Sequence, residues 1–327
     1  MALLRQVSRG LFAGLEGDML WARCNSRLSR AFLFTALKHA VVKSKKFWIS
    51  KLLQHKDASR VLCSNNWQKH VAQRYKRQPI IHTALLQSDP EVVDMIARRM
   101  KESMATVQNA DGDTGLHLAA RTRDGDLGKL LSHFSDRISL NILNDNGNTP
   151  LMVAIHYRRT ENIKAILNFD SMCACNINIQ AHGMPIHVAA WCGGVDIFRL
   201  VYEGTFEEFR MSRCMHGYTS FMIACLREDI EIIHFILEHM KDKVSVQTLV
   251  CAQNSLGQTC LHFAILNGNA PLVRLILSVC PLELLSVKNV CGSDALTLAH
   301  NLGAEEIIQV LREFKASSEA YSCANKI

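Results

Sequence analysis

Proline is scarce in this 327-residue chain, six residues in all, and the seventeen glycines are dispersed. No long Pro- or Gly-rich linker therefore divides it, and nothing is low-complexity beyond short patches. The sequence has no C-x-x-C, paired-His or H-E-x-x-H spacing from which a zinc site would be built. It has no phosphate loop either, since the "GNTP" and "GGV" fragments lack the G-x-x-x-x-G-K spacing. No nucleophile with an adjacent base and no convergent carboxylates stand out, so no residue is assigned a catalytic, cofactor or metal role.

Long uncharged runs do occur, over 171–195 and 244–273, but neither reads as a membrane span. The first contains Asn176, Asn178, Gln180, His182 and Pro185, and the second Gln247, Gln253, Asn254, Gln258 and Asn267. A lipid-facing helix would have to bury those groups unpaired. The twelve cysteines are scattered, with only Cys173 and Cys175 close together, and no cleavable apolar signal opens the sequence. They read as small buried residues of a protein in a reducing compartment. With 48% hydrophobic and 20% charged residues, the chain is expected to fold over most of its length, as one large core, two ordinary ones or an elongated array.

Self-similarity favours the array. "TGLHLAA" at 114 recurs as "TPLMVAI" at 149, "MPIHVAA" at 184, "TSFMIAC" at 219, "TCLHFAI" at 259 and "DALTLAH" at 294, with "PIIHTAL" at 79 upstream. A turn with Gly two places before the Thr position precedes most copies: "DGDT", "NGNT", "HGYT", "LGQT" and "CGSD". A second apolar helix follows each first one, as in "ENIKAIL", "VDIFRLV" and "APLVRLIL". Gly supplies backbone freedom at the turn, and the Thr hydroxyl can accept an orphan N–H of the first helix. The sixth position is small in every copy (Ala84, Ala119, Ala154, Ala189, Ala224, Ala264, Ala299), so that neighbouring helices approach closely.

These motifs resemble the ankyrin repeat, whose T-P-L-H-x-A signature is nearly intact at Thr149–Ala154, at Pro185–Ala189 and, with one change, at Thr114–Ala119. The departures are Met152, Met222 and Thr297 in place of His, and a turn glycine displaced to Gly183. The resemblance implies an all-α solenoid of stacked helix-turn-helix units joined by β-turns. It also gives His82, His117, His187 and His262 a structural role between repeats. The gap between the fifth and sixth copies is longer, and its extra residues (241–255) are expected to lengthen a loop without breaking the stack.

Residues 35–53 align on the same helix pair, with Thr35, Leu37 and Ala40 at motif positions, and read equally well as a degenerate repeat or as a helical hairpin capping the array. The expected organisation is a basic amino-terminal lead over 1–28, the cap or degenerate repeat over 29–74, the ankyrin array over 75–315 and a mobile tail over 316–327. Residues 1–78 hold sixteen Lys/Arg against three Asp/Glu, whereas the rest holds twenty-one against twenty-seven. The lead offers a route to nucleic acid or to an anionic membrane, neither favoured, and the opening "MALLRQVSRGLFAGL" has the composition of a mitochondrial presequence. The clusters "KSKK" (43–46) and "RYKR" (74–77) would suit nuclear entry but read first as solvated surface.

The expected function is that of a non-enzymatic adaptor, cytoplasmic or nuclear, whose concave groove receives another protein. In the family the variable positions flank the turn and end the first helix. On this chain the resemblance places Asp113, Arg121, Asn148, His156, Tyr157, Trp191, Tyr218, Arg227 and Leu266 there. Trp191, Tyr157 and Tyr218 are expected to form one aromatic patch, since aromatics and Arg make interface anchors. The alternative is a regulator like the inhibitors of NF-kappa-B, masking a transcription factor; against it, the amino-terminal part is basic and has no D-S-G-x-x-S signal.

Overall fold

The computed structural model describes residues 30–62, 79–87, 90–99, 106–122, 127–133, 140–175, 183–240 and 243–324. The basic lead over 1–28 and the "RYKR" cluster lie outside the described residues. The chain divides into two compact units, residues 1–173 and 174–327. Both are built from the helix pairs of an ankyrin solenoid, and no β-strand occurs among the described residues.

The first unit contains α1 (Arg30–Val42), α2 (Lys46–Leu53), α3 (Ala58–Leu62), α4 (Ile80–Gln87), α5 (Pro90–Ala97), α6 (Gly115–Arg121), α7 (Leu127–Ser132), α8 (Pro150–His156) and α9 (Thr160–Phe169). The first helices of successive pairs form one layer, α1 on α4 on α6 on α8, and the second helices form another, α2 on α5 on α7 on α9. The small sixth position explains the close layer: Ala84, Ala119 and Ala154 are buried between helices. The hairpin α1–α2 thus occupies the place of a repeat, with Leu37, Ala40, Ile49 and Leu52 fully buried. Its first helix nevertheless begins at Arg30 and leaves Thr35 exposed inside the helix, so the aligned packing positions hold while the Thr cap does not. Leu33 and Phe34, both buried, carry the helix back past the point where a turn would otherwise stand.

The second unit contains α10 (Pro185–Cys192), α11 (Val195–Gly204), α12 (Ser220–Arg227), α13 (Ile230–His239), α14 (Lys243–Cys251), α15 (Cys260–Leu266), α16 (Ala270–Val279), α17 (Ala295–Asn301) and α18 (Glu305–Ala324). Its first helices again form a layer, α10 on α12 on α15 on α17. The extra residues after the fifth repeat differ from expectation: they fold as α14, which packs on α15 and α16 and buries Leu249 and Val250. The stack persists there, because α12 and α15 remain in contact. The final helix also differs, running to Ala324 where the apolar pattern ends at Phe314. Residues 315–324 contain neither Gly nor Pro to stop a helix, so the backbone continues beyond the apolar pattern.

Candidate protein-interaction surface

Four of the described turns are each held by one side chain that the motif comparison passes over. Asn109, five residues before Thr114, accepts the N–H groups of Asp111 and Asp113 on its Oδ1 at 2.9 Å each. Asn144 does the same for Asn146 and Asn148 at 3.1 and 2.9 Å, and Asn254 for Leu256 and Gln258 at 2.9 Å each. Asn289 completes the set with Cys291 and Ser293 at 2.9 and 3.1 Å. The repeated Asn was present in the sequence but lies outside the Gly-to-Thr window. In the fifth repeat Cys214 stands at this position, and it has no side-chain carbonyl.

The motif histidines join one turn to the next. His117 Nδ1 accepts from the Thr114 N–H at 3.1 Å, and its Nε2–H donates to the Asn148 carbonyl at 2.9 Å. His262 repeats the pattern with Thr259 at 3.2 Å and Ser293 at 3.2 Å, and His187 with Met184 at 3.1 Å and Ser212 at 3.0 Å. Burial lowers the pKa of all three, against the raising effect of their backbone hydrogen bonds, and keeps them neutral. His82 breaks the pattern. The residue at its Thr position is Pro79, which has no N–H to give, and among the described residues neither ring nitrogen has a hydrogen-bond partner of normal geometry. Desolvation pushes its pKa down to about 4.

Turn tips are laddered by their backbones as well. Asp145 N–H donates to the Asp111 carbonyl at 3.1 Å, Ser255 N–H to His216 at 3.0 Å, and Val290 N–H to Leu256 at 3.0 Å. This ladder fixes the tips as a row and leaves their side chains free to vary. In the first unit the exposed tip residues are Ala110, Asp111, Asp145 and Asn146. In the second they include Met215, Leu256 and Val290, exposed by 55%, 52% and 67%.

The expected surface residues separate between the units. In the first, His156 and Tyr157 are exposed at the end of α8 with their rings edge to face, 5.3 Å apart. Arg121 is half-buried and its carbonyl accepts from Arg159 Nε at 3.0 Å. Asn148 is half-buried and belongs to the turn network described above. Asp113 needs correcting as a partner-facing residue: it is only 8% exposed, and its carboxylate accepts from Asn144 Nδ2 at 2.8 Å. It links two turns because an acid next to the Thr cap lies under the following turn.

In the second unit Trp191 is 51% exposed, and the Arg227 guanidinium lies 5.3 Å from its ring centroid. They lie in the last turns of consecutive first helices, so the stacking of α10 on α12 sets the pair. Tyr218 stacks on the buried Phe263 ring at 5.5 Å and 22°, which leaves it half-buried. Leu266 is exposed. Tyr157 belongs to the first unit, whereas Trp191 and Tyr218 belong to the second.

Burial raises the pKa of Cys260 and pushes that of Cys280 up to about 12, so these thiols stay protonated. Among the described residues no cluster of His, Cys, Asp and Glu could hold a metal ion, and no helix is long and apolar enough to cross a membrane.

A layered solenoid with fixed turns and variable tips defines a repeat protein that presents side chains to other proteins. The family of ankyrin repeats, in a model of three copies, matches residues 80–181, 116–208 and 221–321. The chain belongs to the ankyrin-repeat family, whose members serve protein–protein interaction. A curated relative, the nuclear factor NF-kappa-B p110 subunit of Drosophila melanogaster, is 22% identical over 222 residues. That match covers 65% of this chain and spans only 22% of the relative's length. The crystal structure of the ankyrin repeat domain of Bcl-3, "a unique member of the IkappaB protein family", superposes with a TM-score of 0.48 at 21% identity, covering 84% of this chain and 97% of that one.

Proposed function

We propose that the protein is a non-enzymatic adaptor and that the second unit carries its main partner surface. The observation that supports this most directly is Trp191, a large ring left half open to solvent beneath an arginine. Burying it against a partner would release apolar area while Arg227 keeps the cation–π contact, the pairing from which interface hot spots are made. Met215, Leu256 and Leu266 add exposed apolar area on turns and first helices of the same unit. His156, Tyr157 and Arg121 offer a second, more polar contact set on the first unit, and the polypeptide acts from the cytoplasm or nucleus.

A regulator that masks a transcription factor, like the inhibitors of NF-kappa-B, is the second reading, favoured by the similarity to the Drosophila NF-kappa-B p110 subunit. Trp191→Ala in the full chain tests the first reading. Truncating a central aromatic anchor costs about 2 kcal/mol, roughly thirtyfold in affinity. Melting should stay near wild type while partners co-purifying with the full chain are lost in proportion. Unfolding of the variant would make Trp191 a core residue; unchanged folding with unchanged recovery would move the surface elsewhere. If the partner recovered is a Rel-type transcription factor, the second reading replaces the first.

A further inference from the structure

The hairpin at the start of the first unit lies within the basic stretch 1–78 and differs in charge from the repeats after it. Residues 30–62 hold eight Lys/Arg and a single acid, Asp57. That acid lies near Arg30 and Arg60, 3.3 and 3.6 Å from their side chains, and so offsets charge at the end of the hairpin where α1 begins. At the other end, where α1 turns into α2, six consecutive residues are exposed: Val42, Lys43, Ser44, Lys45, Lys46 and Phe47. Lys46 pairs with Glu91 of α5, and the Lys51 ammonium lies 5.6 Å from the Phe47 ring centroid. The tip therefore sets two open apolar side chains, Val42 and Phe47, 41% and 39% exposed, among lysines.

We propose that this tip docks the protein on an anionic lipid surface, independently of the protein-binding surface of the second unit. Lysines with apolar neighbours suit a lipid interface: the apolar groups enter the acyl boundary while the ammonium groups remain at headgroup level on their flexible stems. The ammonium is a compact point charge, matched to a diffuse field of anionic headgroups, and the exposed tip offers no Arg fork to grip a single phosphate. Nucleic acid fits less well. A base would need an open aromatic face, but Phe47 lies edge to face with Trp48 at 5.6 Å and 80° and has Lys51 over its ring.

The test sediments the full chain with vesicles of phosphatidylcholine containing about 30% phosphatidylserine, and with phosphatidylcholine alone. Binding should require the anionic lipid and disappear at about 0.5 M NaCl, where the Debye length falls to about 4 Å. Each lysine near such a surface is worth about fivefold in partitioning, so Lys43→Glu with Lys45→Glu should lower it by at least about twenty-five-fold. Ser44→Asp provides a second variant. Ser44 has a left-handed φ of 49°, a region Asp tolerates, and an acid between the lysines should lower partitioning about fivefold without disturbing the turn. Circular dichroism and melting establish that both variants are folded; if the double variant is not, Ser44→Asp carries the test. Equal sedimentation with neutral vesicles, none with anionic ones, or full binding by the folded variants would overturn the proposal. So would tighter binding to a single-stranded oligonucleotide that the same variants abolish.

Discussion

The turns of the two units share one scaffold and carry opposite surfaces. Asn144 in the first unit and Asn254 in the second hold their turns with the same pair of backbone hydrogen bonds, and a glycine with positive φ sits at the same place in each, Gly147 and Gly257. Yet apart from Ala110 the exposed tips of the first are acidic or amide side chains, while those of the second set the large apolar Met215, Leu256 and Val290 beside His216, Ser255 and Cys291. Hydrogen bonding fixes the backbone of a turn, so the side chains three and four places before the cap are free to differ from one repeat to the next. The second unit sets large apolar groups that water solvates poorly at three of its six described tip positions, which is the physical ground for proposing the partner surface there.

The most damaging way to test the shared scaffold is at its glycines. Gly112 and Gly217 have φ of 73° and 76°, and a Cβ at either would meet the next turn, at 2.5 Å from Asp145 N and 2.8 Å from Ser255 N. Ala at either position is expected to cost about 3 kcal/mol or more, combining the left-handed penalty with a backbone clash. Gly292 has φ of 75° but nothing within 4 Å of the added methyl, so Gly292→Ala should cost only about 1 kcal/mol. Urea unfolding of the three variants separates conformation from close approach; similar losses at Gly217 and Gly292 would mean the turns are not stacked as described.

The histidines break the symmetry between units in the other direction. His262→Leu strands the Thr259 N–H and the Ser293 carbonyl, with an expected loss of about 2 kcal/mol. His82→Leu removes two ring nitrogens that have no hydrogen bond of normal geometry among the described residues and should be neutral or stabilising. Acid sharpens the difference. The His82 pKa, about 4 against an ordinary 6.5, is depressed in the folded chain, so the unfolded chain binds the proton first. Stability present above pH 6.5 is lost as pH falls toward 4, by roughly 2 kcal/mol at pH 5 from this residue. Melting curves between pH 7 and pH 5 should fall less steeply for His82→Leu than for wild type; parallel curves would remove His82 from the acid response.

Much of this scaffold was legible in the sequence because a period of identical grammar fixes where caps, glycines and small residues must lie. Ala189 and Trp191 show both sides of that: the first reads as buried from its place in every copy and is fully buried, whereas nothing in one sequence fixes how far the second is exposed. Asp113 was misread because proximity to the turn says nothing about which side of it a carboxylate meets, and here it meets Asn144. The helix at 243–251 was read as loop because its weakly amphipathic residues, charged only at Lys243, match no repeat position. That His82 lacks the cap bond of the other motif histidines could have been read directly, since Pro79 announces a missing N–H.

A gain of stability should follow where the scaffold is incomplete. Cys214 replaces the turn Asn in the fifth repeat, so Cys214→Asn is expected to supply a side-chain carbonyl to the N–H groups of His216 and Tyr218, as Asn254 does for Leu256 and Gln258. Such bonds are worth about 1 kcal/mol net. The rise should be visible as a higher urea midpoint at unchanged slope. No gain would mean that the cysteine turn is already satisfied in another way.

The smallest effect on stability, and the sharpest separation of scaffold from surface, is expected at the tips. Leu256 occupies the position that Asn146 holds in the first unit, and its backbone N–H and carbonyl are already engaged with Asn254 and Val290. Leu256→Asn leaves both bonds intact and removes only an exposed side chain, so the melting midpoint should correspond to a change within about 0.5 kcal/mol. Combining it with Met215→Asp gives the second unit the tip chemistry of the first. If the apolar row is partner surface, this double variant stays folded and loses partners recovered by the wild-type chain, while the equivalent change in the first unit, Asn146→Leu, leaves recovery as it was. A double variant that melts early would show the tips to be structural after all. One that stays folded and keeps its partners would confine recognition to Trp191, Arg227 and the ends of the first helices.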